Sequence, residues 1–140
     1  MAILLKNGLV LRDFDGASAP AVQDILVDGT RIRAVGTALE VPEGTEVIDA
    51  SSQLVMPGLV NAHVHAWQGF LRRTAIDWSL GQYFERMLAG FGAQMTPEDV
   101  ALGIRLTALE SLDAGVTTML DFCHVLNSPE HVEAAVAAHR

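Results

Sequence analysis

A single cysteine stands in the 140 residues, so no disulfide can form within the chain, which suits a reducing compartment. Basic residues are also scarce: nine Lys and Arg against seventeen Asp and Glu leave a formal charge of −8. That balance argues against nucleic acid and against an anionic membrane surface as partners, because both select basic faces. No apolar run approaches the roughly 20 residues of a membrane span. The N-terminus MAILLKNGLVLRD breaks its apolar stretch at Lys6, Asn7 and Gly8, too early for a signal peptide. A soluble, cytoplasmic protein is expected. Internal repeats and low-complexity tracts are absent as well. Half of the residues are apolar, enough for a sizeable core.

Residues 1–56 read as β. Ala2–Leu5 and Leu9–Leu11 flank Asn7-Gly8, a turn signal, and Ile25–Val27 and Ile32–Val35 flank Asp28-Gly29-Thr30, a short hairpin signal. Val47-Ile48 and Leu54–Met56 complete six short strands, the pattern of a small β-sandwich segment. From Pro57 the pattern changes. The run Pro57–His65 predicts a short buried strand, followed by a helix near 80–90 with Ser79 and Gln82 as a capping box. Phe84, Met87, Leu88 and Phe91 lie near one face of that helix. A second helix begins at the Thr96 cap with Pro97 in its first turn, and Leu102, Leu106, Leu109 and Leu112 mark its apolar stripe until Gly115. Val116–Phe122 is a β-branched apolar strand, and Ser128-Pro129-Glu130 opens a last helix.

The order strand, helices, strand, helix is a βαβα unit and implies parallel strands. Such a unit belongs either to an open doubly wound sheet or to a TIM barrel. The first loop carries neither GxGxxG nor GxxxxGK[ST], which removes the main support for nucleotide binding of those kinds. In a barrel, chemistry sits at the C-terminal ends of the strands. His63 and His65 lie at one such end and Cys123-His124 at the next. On a strand His63 and His65 share a face while Val64 points away, so two imidazoles can meet one metal ion.

A bare HxH recurs by chance, but here it ends a Pro-Gly-delimited apolar strand after a β segment. The stretch VMPGLVNAHVH followed by AWQGFLRR, with DAGVTTMLDFCH later, resembles the amidohydrolase superfamily, in its deaminase and chlorohydrolase branch. Cytosine, guanine and 8-oxoguanine deaminases and the triazine hydrolases belong to that branch. The resemblance implies an α/β fold: a β-sandwich segment over 1–56, then the start of a metal-dependent TIM (β/α)8 barrel over 57–140. It implies a metal-dependent hydrolase of non-peptide carbon–nitrogen bonds that deaminates a purine, pyrimidine, pterin or triazine through an activated water. Hydrolysis of a cyclic amide or of a carbon–halogen bond, or a metal-free binding homologue, are the alternatives.

In that family His63 and His65 would be ligands of one divalent metal, zinc or iron, for which imidazole is well suited. The further ligands and the general acid and base are expected beyond residue 140. The 140 residues are therefore expected to be part of a larger protein, inactive alone, whose partners are a small heterocyclic substrate, the remainder of its own chain and further copies of itself. Gln68 stands where purine-deaminating relatives contact the base, and an amide suits a heterocycle edge. Trp67 is either an apolar wall for the substrate or a buried anchor of the long loop. His124 is a candidate substrate contact. Cys123 reads as a small buried residue rather than a nucleophile, Trp78 as packing, Arg72 and Arg73 as surface or ion-paired, and His131 and His139 as surface residues of a helix. The segment 66–95 exceeds an ordinary βα loop and is expected to lid the site or to make an oligomer contact.

Overall fold

The computed structural model describes all 140 residues, which form two compact units, Met1–Pro57 and Gly58–Arg140. In the first, β1 (Ala2–Val10), β2 (Ala21–Asp28), β3 (Arg31–Gly36), β4 (Glu46–Asp49) and β5 (Leu54–Val55) make one mixed sheet in the order β3-β2-β1-β4, with β5 also on β1. The β2–β3 hairpin pairs Asp28 with Arg31 across the two-residue loop Gly29-Thr30, as the sequence predicts. The Asn7-Gly8 turn does not form. β1 runs through it, because the register shifts between Leu5 and Gly8 and Asn7 takes up the extra residue as a bulge at φ 63. Asparagine tolerates that left-handed conformation, and its backbone N–H donates to Asp24 Oδ1 at 2.9 Å. A local turn signal is thus absorbed into a longer strand by its partner's side chain.

The second unit contains β6 (Leu59–Val64), the 3₁₀ segment Ala66–Leu71, α1 (Leu80–Gln82) continuing as a π-helical segment Tyr83–Gly92, α2 (Pro97–Asp113), β7 (Val116–Asp121) and α3 (Pro129–Ala138). β6 and β7 pair in parallel, aligning Leu59 with Val116 and Val64 with Asp121. The predicted capping box of Ser79 with Gln82 forms, and the predicted Thr96 cap proves to be a full box with Asp99. α2 stops at Gly115, whose φ of 81 costs a residue without Cβ little.

Two predicted helix faces differ from the observed ones. Met87 and Gly92 are the buried residues of the π-helical segment, five apart as its wider turn dictates, while Phe84 and Phe91 are exposed. On α2 the buried residues are Val100, Ala101, Gly103 and Ile104, whereas Leu102 is 58% and Leu109 66% exposed. Both stripes have helical spacing, and the smaller side chains of the 100–104 stripe allow the closer packing. The core gathers Ala66, Trp67, Met87, Val100, Ile104, Val125 and Ala135. No helix is long and apolar enough to cross a membrane.

Candidate metal centre

The two predicted histidines lie together at the end of β6, their ring centroids 5.2 Å apart. His65 is oriented from the neighbouring strand's end: its Nδ1 lies 2.8 Å from the Phe122 carbonyl oxygen. A carbonyl only accepts, so Nδ1 carries the hydrogen and Nε2 keeps the lone pair. Metal-binding imidazoles are commonly set in one tautomer by an acceptor placed in this way. His63 is exposed, and its backbone N–H donates to Asn61 Oδ1 at 3.1 Å. The pair stands alone as a donor set, since no group of three or more His, Cys, Asp and Glu side chains is placed to hold an ion.

His124 comes to the same place, its ring centroid 4.1 Å from that of His65. Its Nδ1 accepts from the Trp67 indole N–H at 3.4 Å, which leaves Nε2 as the protonated nitrogen. Burial holds the His124 pKa below the ordinary histidine range, and the adjacent His65 adds to this while Asp121 opposes it. Trp67 lies in the core of this unit. Its side chain is 0% exposed, so neither ring face is open for stacking on a substrate.

Gln68 is half-buried and donates through Nε2 to the Tyr83 hydroxyl at 2.6 Å. It lines a cavity of about 580 Å³ that also reaches His65, Tyr83, Thr107 and Glu110. Arg72, on the rim, is ion-paired with Glu110. Cys123 is partly buried, and desolvation pushes its thiol above the usual value, as does the Asp121 charge, against one hydrogen bond from the Val125 backbone. A thiol so placed is a poor nucleophile at neutral pH.

His131 is not a surface residue. It is buried, with Nε2 donating to the Met95 carbonyl at 2.9 Å and Nδ1 2.8 Å from Ser128 Oγ. The helix register places it inward, toward Met95 just after the long loop's helix, a partner 36 residues away that helix periodicity alone does not reveal. His139 is partly exposed but bonded, Nε2 to Asp121 Oδ2 at 3.0 Å.

Sequence reasoning also missed Tyr83, Thr107 and Asp121. The one available signal was Asp121, an acid closing the apolar run VTTML at a strand's C-terminal end, where barrel chemistry gathers.

The model of the amidohydrolase family matches residues 54–139, which span β6, both histidines and nearly everything after them. The chain belongs to the amidohydrolase family. This amidohydrolase chain is 38% identical over 122 residues to the 5-methylthioadenosine/S-adenosylhomocysteine deaminase of Thermococcus kodakarensis, covering 86% of the chain and 28% of that protein. It is 34% identical over 126 residues to the 5'-deoxyadenosine deaminase of Methanothrix thermoacetophila, covering 90% of the chain and 28% of that protein. It superposes on a mutant atrazine chlorohydrolase of Arthrobacter aurescens, solved with zinc and atraton, with a TM-score of 0.82 at 27% identity. That match covers 97% of this chain and 32% of the other. The amidohydrolase chain thus spans less than a third of the length of these relatives, and it fits the deaminase and chlorohydrolase branch.

Proposed function

We propose that this chain carries the first part of a metal-dependent hydrolase that deaminates a nitrogen heterocycle, with His63 and His65 holding one divalent metal. The observation that carries the proposal is the fixed tautomer of His65, with Nε2 free and His63 beside it. The donor chemistry fits: neutral imidazoles suit zinc and iron, and zinc is favoured by its presence in the chlorohydrolase. When bound, such an ion supplies Lewis acidity and makes water nucleophilic near neutral pH.

The chain's own residues do the rest of what can be assigned here. His65 is locked by Phe122, His124 presents an Nε2–H donor beside it, and Gln68 offers an amide to a ring edge. Trp67 holds His124 in place rather than touching substrate. Catalytic zinc takes at least three protein ligands, of which His63 and His65 would be two, and no group of three or more donors gathers in this chain. The other ligands and the general acid and base belong to the length of the relatives that this chain does not span.

The same proposal extends to the fold. Leu102, Leu109, Val60 and Leu120 are exposed apolar residues on the strands and helix of the second unit, and a groove of about 710 Å³ runs beside β7. They are suited to the further strands and helices of a TIM barrel beginning at 57. In the first unit an apolar groove of about 390 Å³ over Leu5, Ile25, Ile32 and Val35 suits the second layer of a sandwich.

The deaminase names of the relatives favour an adenosine derivative as substrate, exchanging its exocyclic amino group for the oxygen of water and releasing ammonia. Displacement of chloride from a triazine is the second reading, favoured by the chlorohydrolase likeness. The test is elemental analysis of the complete protein with ammonia and chloride assays on 5'-deoxyadenosine, 5-methylthioadenosine and chlorotriazines. One metal per chain, lost in the His63→Ala, His65→Ala double variant together with ammonia release, is the expected result. Full metal occupancy in that variant overturns the assignment.

A further inference from the structure

We propose that Asp121, acting with Thr107, positions His65 by gripping the backbone of Ala66 from both sides; this rests on the reading of His65 as a metal ligand. The Ala66 N–H donates to Asp121 Oδ1 at 2.9 Å, and the Ala66 carbonyl accepts from the Thr107 hydroxyl at 2.8 Å. The first grip comes from the end of β7 and the second from the middle of α2. Together they fix the two peptide planes that follow His65, so turning the chain on either side of Ala66 breaks one of the two bonds. Its ring is held by Phe122, the residue after Asp121. One strand end therefore sets both the main chain and the imidazole of the same histidine.

The placement of an acid here has a physical reason. Ala66 is fully buried, so its N–H and carbonyl have no water to turn to and need partners within the protein. The Asp121 side chain is only 7% exposed, and its second oxygen is occupied by His139 Nε2 at 3.0 Å. Both oxygens are therefore bonded, and a carboxylate accepts more strongly than a neutral group. Asp121 touches neither the metal site nor the cavity by way of a free oxygen. It acts through Ala66.

The experiment compares Asp121→Ala, Asp121→Asn and Thr107→Val in the complete protein. Two quantities are read: the imidazole ¹⁵N shifts of His65 in the metal-free protein, and the zinc dissociation constant by chelator competition. Wild type is expected to show His65 as the single Nδ1–H tautomer. Asp121→Ala and Thr107→Val should show mixed tautomers and bind zinc on the order of 10–100-fold more weakly. Asp121→Asn keeps an oxygen for the Ala66 N–H and should stay close to wild type in both. If Asp121→Ala fails to fold, Thr107→Val, which preserves volume, carries the comparison. Unchanged tautomer and zinc affinity in a folded Asp121→Ala or Thr107→Val overturns the proposal, and so does an Asp121→Asn as impaired as Asp121→Ala. Zinc affinity insensitive to His63→Ala and His65→Ala would instead sink the metal reading, while the tautomer of the metal-free protein would still report on the grip.

Discussion

Trp67 and Gly103 pack backbone to backbone: a Cβ built on Gly103 would collide with the Trp67 carbonyl oxygen. Gly69 returns the fit, since a Cβ there would lie 2.5 Å from the Gly103 carbonyl oxygen. Two glycines on facing elements thus let the 3₁₀ segment that follows the histidines settle directly on α2. The backbone on both sides leaves nothing to give way.

Gly103→Ala should therefore destabilise the fold by about 1–3 kcal/mol or more, the range for overpacking a close-packed core. Urea denaturation measures it. Because Ala66 and Trp67 move with the segment, zinc affinity should fall in parallel. A variant as stable as wild type would mean that the two backbones do not meet in solution.

Gln68→Ala should lower kcat/KM by about one to two orders of magnitude, the effect of removing one hydrogen-bonding group from a desolvated site, with metal content unchanged. Tyr83→Phe removes the hydroxyl that receives the Gln68 amide hydrogen and should give a smaller decrease in the same parameter. Steady-state kinetics on the true substrate decide. Wild-type kinetics for Gln68→Ala would take it off the site.

His131→Leu should cost about 1–3 kcal/mol, because it leaves the Met95 carbonyl without its donor and removes the imidazole partner of Ser128. Thermal unfolding of the complete protein checks this. Stability equal to wild type would return His131 to the surface role that its place on the last helix suggests.

The start of α2 should weaken in acid. Hydrogen bonds from the Thr96 backbone and then its hydroxyl hold the Asp99 pKa below the ordinary aspartate value. A carboxylate with a depressed folded pKa contributes stability that is complete above its unfolded value and is lost as pH falls through the folded one. The contribution should therefore fade in the window just below the ordinary aspartate range. Amide hydrogen exchange in the first turn of α2 measures it, and Asp99→Asn should flatten the dependence. An identical pH profile in the variant would assign the effect to another group.

Much of this molecule was legible in its sequence because the deciding forces are local. The Gly29-Thr30 hairpin, the capping box at Ser79, the cap at Thr96 and the stop at Gly115 each rest on residues within a few positions of one another. The same holds for His63 and His65, brought side by side by their spacing at a strand's end. What the sequence left open depends on which surfaces meet. Periodicity marks two stripes on α2, and only the approach of Trp67 to Gly103 decides that the stripe of Val100, Gly103 and Ile104 is buried and that Leu102, Leu109 and Leu112 face out. The bulge at Asn7 is set by Asp24 on another strand, and the burial of His131 by a carbonyl 36 residues away. Asp121, Thr107 and Phe122 are ordinary residues in a linear reading. They acquire a role only because parallel pairing of β6 with β7, and the packing of α2, bring their hydrogen-bonding atoms to His65 and Ala66. Hydrogen bonds act over about 3 Å, so partners distant in the chain are chosen by the fold and not by sequence position.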